Sequence, residues 1–267
     1  MTTAATSILL RLSSILLGLG MMKAAGQPLR EAPDLSANPA NQLVVSGNAC
    51  GPTALLNAFR FANPDWQRAS STIKGATDKA QIYTIIRECG MRPSKHLKDR
   101  PRWSRKGVSI ADLCDMGNEL THGKFLPLLS QQVLFLKPQE SPAKLLTRVH
   151  RLLETSLAKG FPPILSLRRY VQRGGEWVVL DAHFVTLLSL PRKLEKTASS
   201  FPVSYVDPWG GKISNGSICL PRRPVLANSV ITSPCLEAAF LQAAVGRKLE
   251  KAGEQSILIL SAAMGRW

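Results

Sequence analysis

No stretch of this chain repeats at a period of about 20 to 50 residues and none is low in complexity, which excludes a solenoid and a long disordered tail. No apolar run reaches the ~20 residues that span a bilayer, so a multi-span membrane protein is excluded as well. Histidine and cysteine never fall at C-x-x-C or H-x-x-x-H spacing, so neither a metal nor another cofactor is expected. No cysteine precedes Cys50, which removes a lipid-modified cysteine near the N-terminus. Acid is scarce: 18 Asp and Glu face 34 Lys and Arg, for a formal charge of +16.

Apolar residues, by contrast, are plentiful. Of 267 residues 45% are hydrophobic and 19% charged, which fits one globular domain over residues 27–267. Residues 1–26 contain no acid and two bases, Arg11 and Lys23, around an apolar stretch from Ile8 to Met22 that ends in Ala24, Ala25 and Gly26. This pattern is expected to be a secretory signal peptide, and the protein secreted or periplasmic; Arg11 within the apolar run leaves a membrane anchor or a buried amphipathic helix as alternatives. Removing Arg11 and Lys23 from the charge of +16 leaves +14, so the remainder stays strongly basic.

The densest basic run is Arg92 to Lys106, where Arg92, Lys95, Lys98, Arg100, Arg102, Arg105 and Lys106 face Asp99 alone. It reads either as a solvated loop or as a patch for an acidic partner such as nucleic acid, anionic lipid or an acidic polymer. Only Trp103 interleaves with it and no nucleic-acid motif accompanies it, so sequence-specific nucleic-acid recognition is not expected. Five cysteines, Cys50, Cys89, Cys114, Cys219 and Cys235, make an odd set. In an oxidising compartment four would pair and Cys50 would stay free, Cys89 with Cys114 and Cys219 with Cys235 being the most local pairing; four reduced core thiols are the alternative.

Gln27 to Asn41 has no clear periodicity and suits an entry segment, followed by a brief extended piece at Gln42 to Val45 and a turn at Ser46-Gly47-Asn48. From Thr53 the residues Ala54, Leu55, Ala58, Phe59 and Ala62 share one helical face, and Pro52 occupies a first-turn position where its missing N–H costs nothing. Cys50 therefore falls at or just before a helix N-terminus. Further helices are expected from Ser109 to Leu120, from the Ser141 cap to the Gly160 stop, and from Pro234 to Leu249. Extended apolar runs cover Pro163–Leu167, Trp177–Leu190, Val203–Val206 and Ile257–Leu260. Helices early and strands late point to an α+β fold with a cleft between two halves.

Three short segments carry chemistry. A thiol attacks as its thiolate, which unpaired N–H groups and the macrodipole at a helix N-terminus favour, and Cys50 holds that position. His183 lies in an apolar run, Trp177 to Leu187, that reads as a strand, and Asp207 ends the strand before Pro208-Trp209-Gly210-Gly211. A core histidine and a turn-shaping aspartate are the plain alternatives. Asp181 lies two positions before His183 and would share its face on a strand.

Taken together, Gln42 through Cys50-Gly51-Pro52, then His183-Phe184-Val185, then Val206-Asp207-Pro208-Trp209-Gly210 resembles the bacteriocin-processing-peptidase-like branch of the papain superfamily, over about residues 42–212. The resemblance implies a papain-like α+β fold, an N-terminal helical half carrying the cysteine and a C-terminal antiparallel sheet half carrying the histidine and aspartate. It also implies Cys50 as nucleophile, His183 as base and acid, Asp207 rather than Asp181 as orienter, and Gln42 as oxyanion donor. Gln42 precedes Cys50 by a wider interval than that pattern suggests, which makes Asn48 the substitute. The implied activity is cysteine-dependent hydrolysis of a peptide or protein substrate, with acyl transfer to an amine or thiol, as in phytochelatin-synthase-like relatives, or a non-catalytic binding module as alternatives.

Overall fold

The computed structural model describes residues 27–226 and 233–267. The segment 1–26, on which the signal-peptide expectation falls, lies outside the described residues. Five α-helices precede the main strands: α1 Cys50–Arg60, α2 Pro64–Ser70, α3 Asp78–Ile85, α4 Ile110–Leu120 and α5 Pro142–Ala158. The ten described strands are β1 Leu29–Glu31, β2 Trp103–Ser104, β3 Gly107–Val108, β4 Ser130–Val133, β5 Ile164–Arg173, β6 Glu176–Pro191, β7 Ser200–Asp207, β8 Lys212–Cys219, β9 Leu236–Ala239 and β10 Ser256–Gly265.

Strands β6, β5, β10, β9, β8 and β7 pair in that order, and β7 pairs back onto β6. The result is a closed six-stranded antiparallel barrel, with β1 added to the end of β6 and β4 to the end of β10. Closure corrects the expected papain-like fold of one helical half and one sheet half. The protein is mostly β, with short helices packed on a barrel. Four expected strands would form an open sheet; β8 and β9 supply the missing staves. β8 went unread because its sequence, KISNGSIC, is too polar to stand out, and β9 lies inside Pro234–Leu249, which was expected to be a helix. That segment instead runs β9, then a loop, then a single 3-10 turn at Arg247–Leu249.

Alternation along β6 divides the core in two. Phe184 packs with the helices α1 to α4, whereas Val185 and Leu187 face the cluster shared by the barrel and α5. α1 is buried from Cys50 through Phe59, so it is a central helix with apolar surroundings on every side. The Thr186 hydroxyl donates to the Ala54 carbonyl at 2.9 Å and ties α1 to β6 three residues from His183. α5 follows its sequence signals: the Ser141 hydroxyl accepts from the Lys144 N–H, Pro142 opens the helix, and Gly160 at φ +82° ends it. Gln42–Val44 is a single 3-10 turn rather than an extended piece, because the Asn41 side chain accepts from the Leu43 N–H and caps it.

All five cysteines are free thiols, so of the two alternatives left open it is the reduced one that the structure has. Burial pushes Cys89, Cys114 and Cys219 up to about 11 and Cys235 up to about 12, which suits unreactive thiols, three of them in the core and Cys219 half-buried. No helix among the described residues is long and apolar enough to cross a membrane.

Candidate active site

Cys50 is the first residue of α1. Its N-cap, Ala49, has no side chain that can accept from the first turn, so the leading N–H groups stay available. Gly51 follows because nothing larger fits: a Cβ there would collide with the Val108 methyl of β3. Backbone approach at Gly51 is thus to the β2–β3 hairpin.

That hairpin is the C-terminal end of the basic run, and it fixes the loop before Cys50. The Asn48 N–H donates to the Arg105 carbonyl at 3.1 Å, and the Trp103 indole donates to the Asn48 carbonyl at 3.0 Å. The Cys50 sulfur in turn lies 3.0 Å from the Asn48 side-chain amide. Farther back in the run Arg92 and Arg102 both reach Glu119.

His183 sits on β6 opposite Leu167, and its Nε2 lies 2.7 Å from Asp207 Oδ1. Its ring also lies beside the Cys50 side chain. Burial alone would lower the imidazole pKa; the hydrogen bond to Asp207 and the neighbouring Cys50 side chain outweigh it and push it up to about 10. Asp207 ends β7 and is held from three sides: Oδ1 also accepts from the Trp209 N–H at 2.8 Å, and Oδ2 accepts from the Ala244 N–H at 3.2 Å. Asp181, only half-buried, accepts instead from the N–H groups of Ala182 and Gly246, both at 2.8 Å. The structure therefore brings Cys50, His183 and Asp207 together and leaves Asp181 on the loop side.

Gln42 is locked to the turn after Asp207. Its N–H donates to the Pro208 carbonyl at 2.9 Å, and the Gly210 N–H donates to Asn41 Oδ1 at 3.1 Å. Gly210 and Gly211 take φ of +91° and +62°, a left-handed turn that side chains resist. The Gln42 side chain is buried, its Oε1 has no hydrogen-bond partner among the described residues, and it lines the same cavity as His183.

Two cavities flank the cluster. One of 430 Å³ is lined by Cys50, Val108, Phe135, Arg168 and Phe184 among others. The other, of 610 Å³, is lined by Gln42, His183, Asp181, Trp209, Val245 and Leu249 among others. Asn48 and Ala182 line both, so a groove passes over the Cys50–His183 contact.

No match to this chain was found. That holds for family models, for curated proteins and for solved structures alike. Functional inference therefore rests on the site itself.

Sequence reading missed the supports rather than the reactive groups. Ala244 and Gly246 belong to the segment taken for a helix, and Gly246, at φ +62°, was the signal against it. Asn57 was another signal, a polar residue amid the apolar positions of α1. Fully buried, its Oδ1 accepts from the Ala40 N–H at 2.6 Å and anchors the segment that carries Gln42.

Proposed function

We propose that the chain is a cysteine-dependent hydrolase of peptide or amide bonds, with Cys50 as nucleophile, His183 as base and acid, and Asp207 as the residue that orients the imidazole. One observation carries this reading. A buried imidazole contacts a carboxylate on one side and, on the other, a thiol at a helix N-terminus that faces a groove. The three short motifs that resemble those of bacteriocin-processing peptidases point to the same reaction class.

With the proton resting on His183, the sulfur attacks a carbonyl as the thiolate and forms a tetrahedral oxyanion. The Cys50 N–H and the side-chain amide of Gln42 supply donors; Asn48 is the other amide at hand. His183 then protonates the leaving amine, and water completes hydrolysis of the thioester through the same imidazole. Magnitudes rank the parts. Full ionisation gains an ordinary thiol of pKa ~8.5 only roughly 30-fold at pH 7. An oxyanion donor is worth ~10² to 10³, and acid catalysis a further ~10² to 10⁴. Proton delivery by His183 therefore outweighs thiolate fraction.

Alkylation by iodoacetamide at about pH 5.5, mapped by mass spectrometry, tests the pairing. Cys50 is expected to label at least ~10-fold faster in the wild type than in His183→Ala, while the other four thiols stay silent. Equal, slow labelling of Cys50 in both proteins rules the reading out.

A further inference from the structure

The groove over Cys50 and His183 has an apolar floor and a basic rim. Val108 and Phe184 form floor on the Cys50 side, Val245 and Leu249 on the His183 side. Lys106 and Arg168 stand on the first rim, Arg105 and Lys248 on the second, and all four are exposed. Arg168 lies opposite Ala182 across the β5–β6 pair and so shares its face, beside the residue common to both cavities.

These cations are unneutralised while others are not. Arg92 and Arg102 meet Glu119, Arg148 meets Glu140 and Arg173 meets Glu254. None of Arg105, Lys106, Arg168 and Lys248 ion-pairs with a described acid. Against these four cations Asp181 is the one carboxylate lining either cavity, so each side keeps an excess of positive charge.

We infer that this groove takes an acidic polypeptide: Asp or Glu side chains on both sides of the bond presented to Cys50, with an apolar side chain against Val108 and Phe184. The assignment rests on the hydrolase reading for what happens to the bond, but not for what binds. A polypeptide fits better than single-stranded nucleic acid, because stacking needs open rings and Trp209 is the one exposed Trp, Tyr or Phe lining either cavity.

Binding and cleavage are measured separately with two pools of fluorescein-labelled dodecapeptides, one alternating Glu with apolar residues and the other with Gln in place of Glu. Anisotropy with the inactive Cys50→Ala protein, and with Cys50→Ser as a second background, is expected to show the acidic pool binding at least ~10-fold tighter at low salt. Adding Lys106→Gln and Arg168→Gln removes most of that preference. Adding Lys144→Gln and Lys159→Gln, the same charge loss at the two ends of α5, leaves it in place. Equal binding of the two pools, equal loss from the α5 pair, or tighter groove-dependent binding of a single-stranded DNA dodecamer or of anionic phosphatidylserine vesicles each overturns the assignment. If the wild type binds acidic peptides and cleaves none of either pool, the hydrolase reading fails and the groove assignment stands.

Discussion

Asp207 receives three hydrogen bonds, two of them from backbone N–H groups whose positions are set by different segments. A carboxylate held that firmly fixes the imidazole plane, whereas Asp181 holds only the loop beside it. Asp207→Ala is expected to lower kcat/KM by on the order of 10²-fold, and Asp181→Ala by only a few-fold, in parallel assays on one peptide substrate. A larger loss from Asp181→Ala would move the orienting role to that residue. At this scale the sequence was most informative. Cysteine before a first-turn proline, histidine in an apolar run and aspartate before Pro-Trp-Gly-Gly are local patterns, and local patterns survive without coordinates. Asn48 was legible only as a substitute, because its contact with the thiol depends on a hairpin more than fifty residues away along the chain.

Among the elements, the loop between β9 and β10 matters most to the site. It delivers the Ala244 N–H to Asp207 and the Gly246 N–H to Asp181, and it is itself pinned where the buried Arg169 guanidinium donates to the Val245 carbonyl at 2.6 Å and pairs with Glu250 at 2.7 Å. Arg169→Leu removes donors from both acceptors and is expected to cost about 1 to 3 kcal/mol in a urea titration. Turnover should fall with it, because Asp207 loses a firm neighbour, and an unchanged midpoint would show that the loop holds itself. None of this was visible beforehand. Helical spacing of apolar residues in Pro234–Leu249 outweighed the single Gly246, and short strands such as β9 carry too few residues for a period of two to assert itself. α5, with its cap, proline and terminal glycine all in place, was the opposite case.

For the molecule as a whole, the buried proton on His183 links stability to pH. Its imidazole is pushed up to about 10, against ~6.5 for an unfolded histidine, so between those values His183 keeps in the folded chain a proton that it has lost in the unfolded one. The stabilisation is complete below about pH 6.5 and is lost as pH rises through 10. The stability difference between wild type and His183→Ala, followed by urea denaturation from pH 6 to 10, should therefore shrink with rising pH; a constant difference would place the proton elsewhere. Barrel closure is the feature least accessible from sequence, since it depends on which strand edges find each other across long separations. It also sets a timetable. β10 pairs with β5, β9 and β4, and β5 aligns β6 and its histidine, so the assembly that presents His183 to Cys50 lacks a stave until residues 256–265 have emerged from the ribosome. A chain already carrying both reactive side chains would not bring them together until that last stave had joined the barrel.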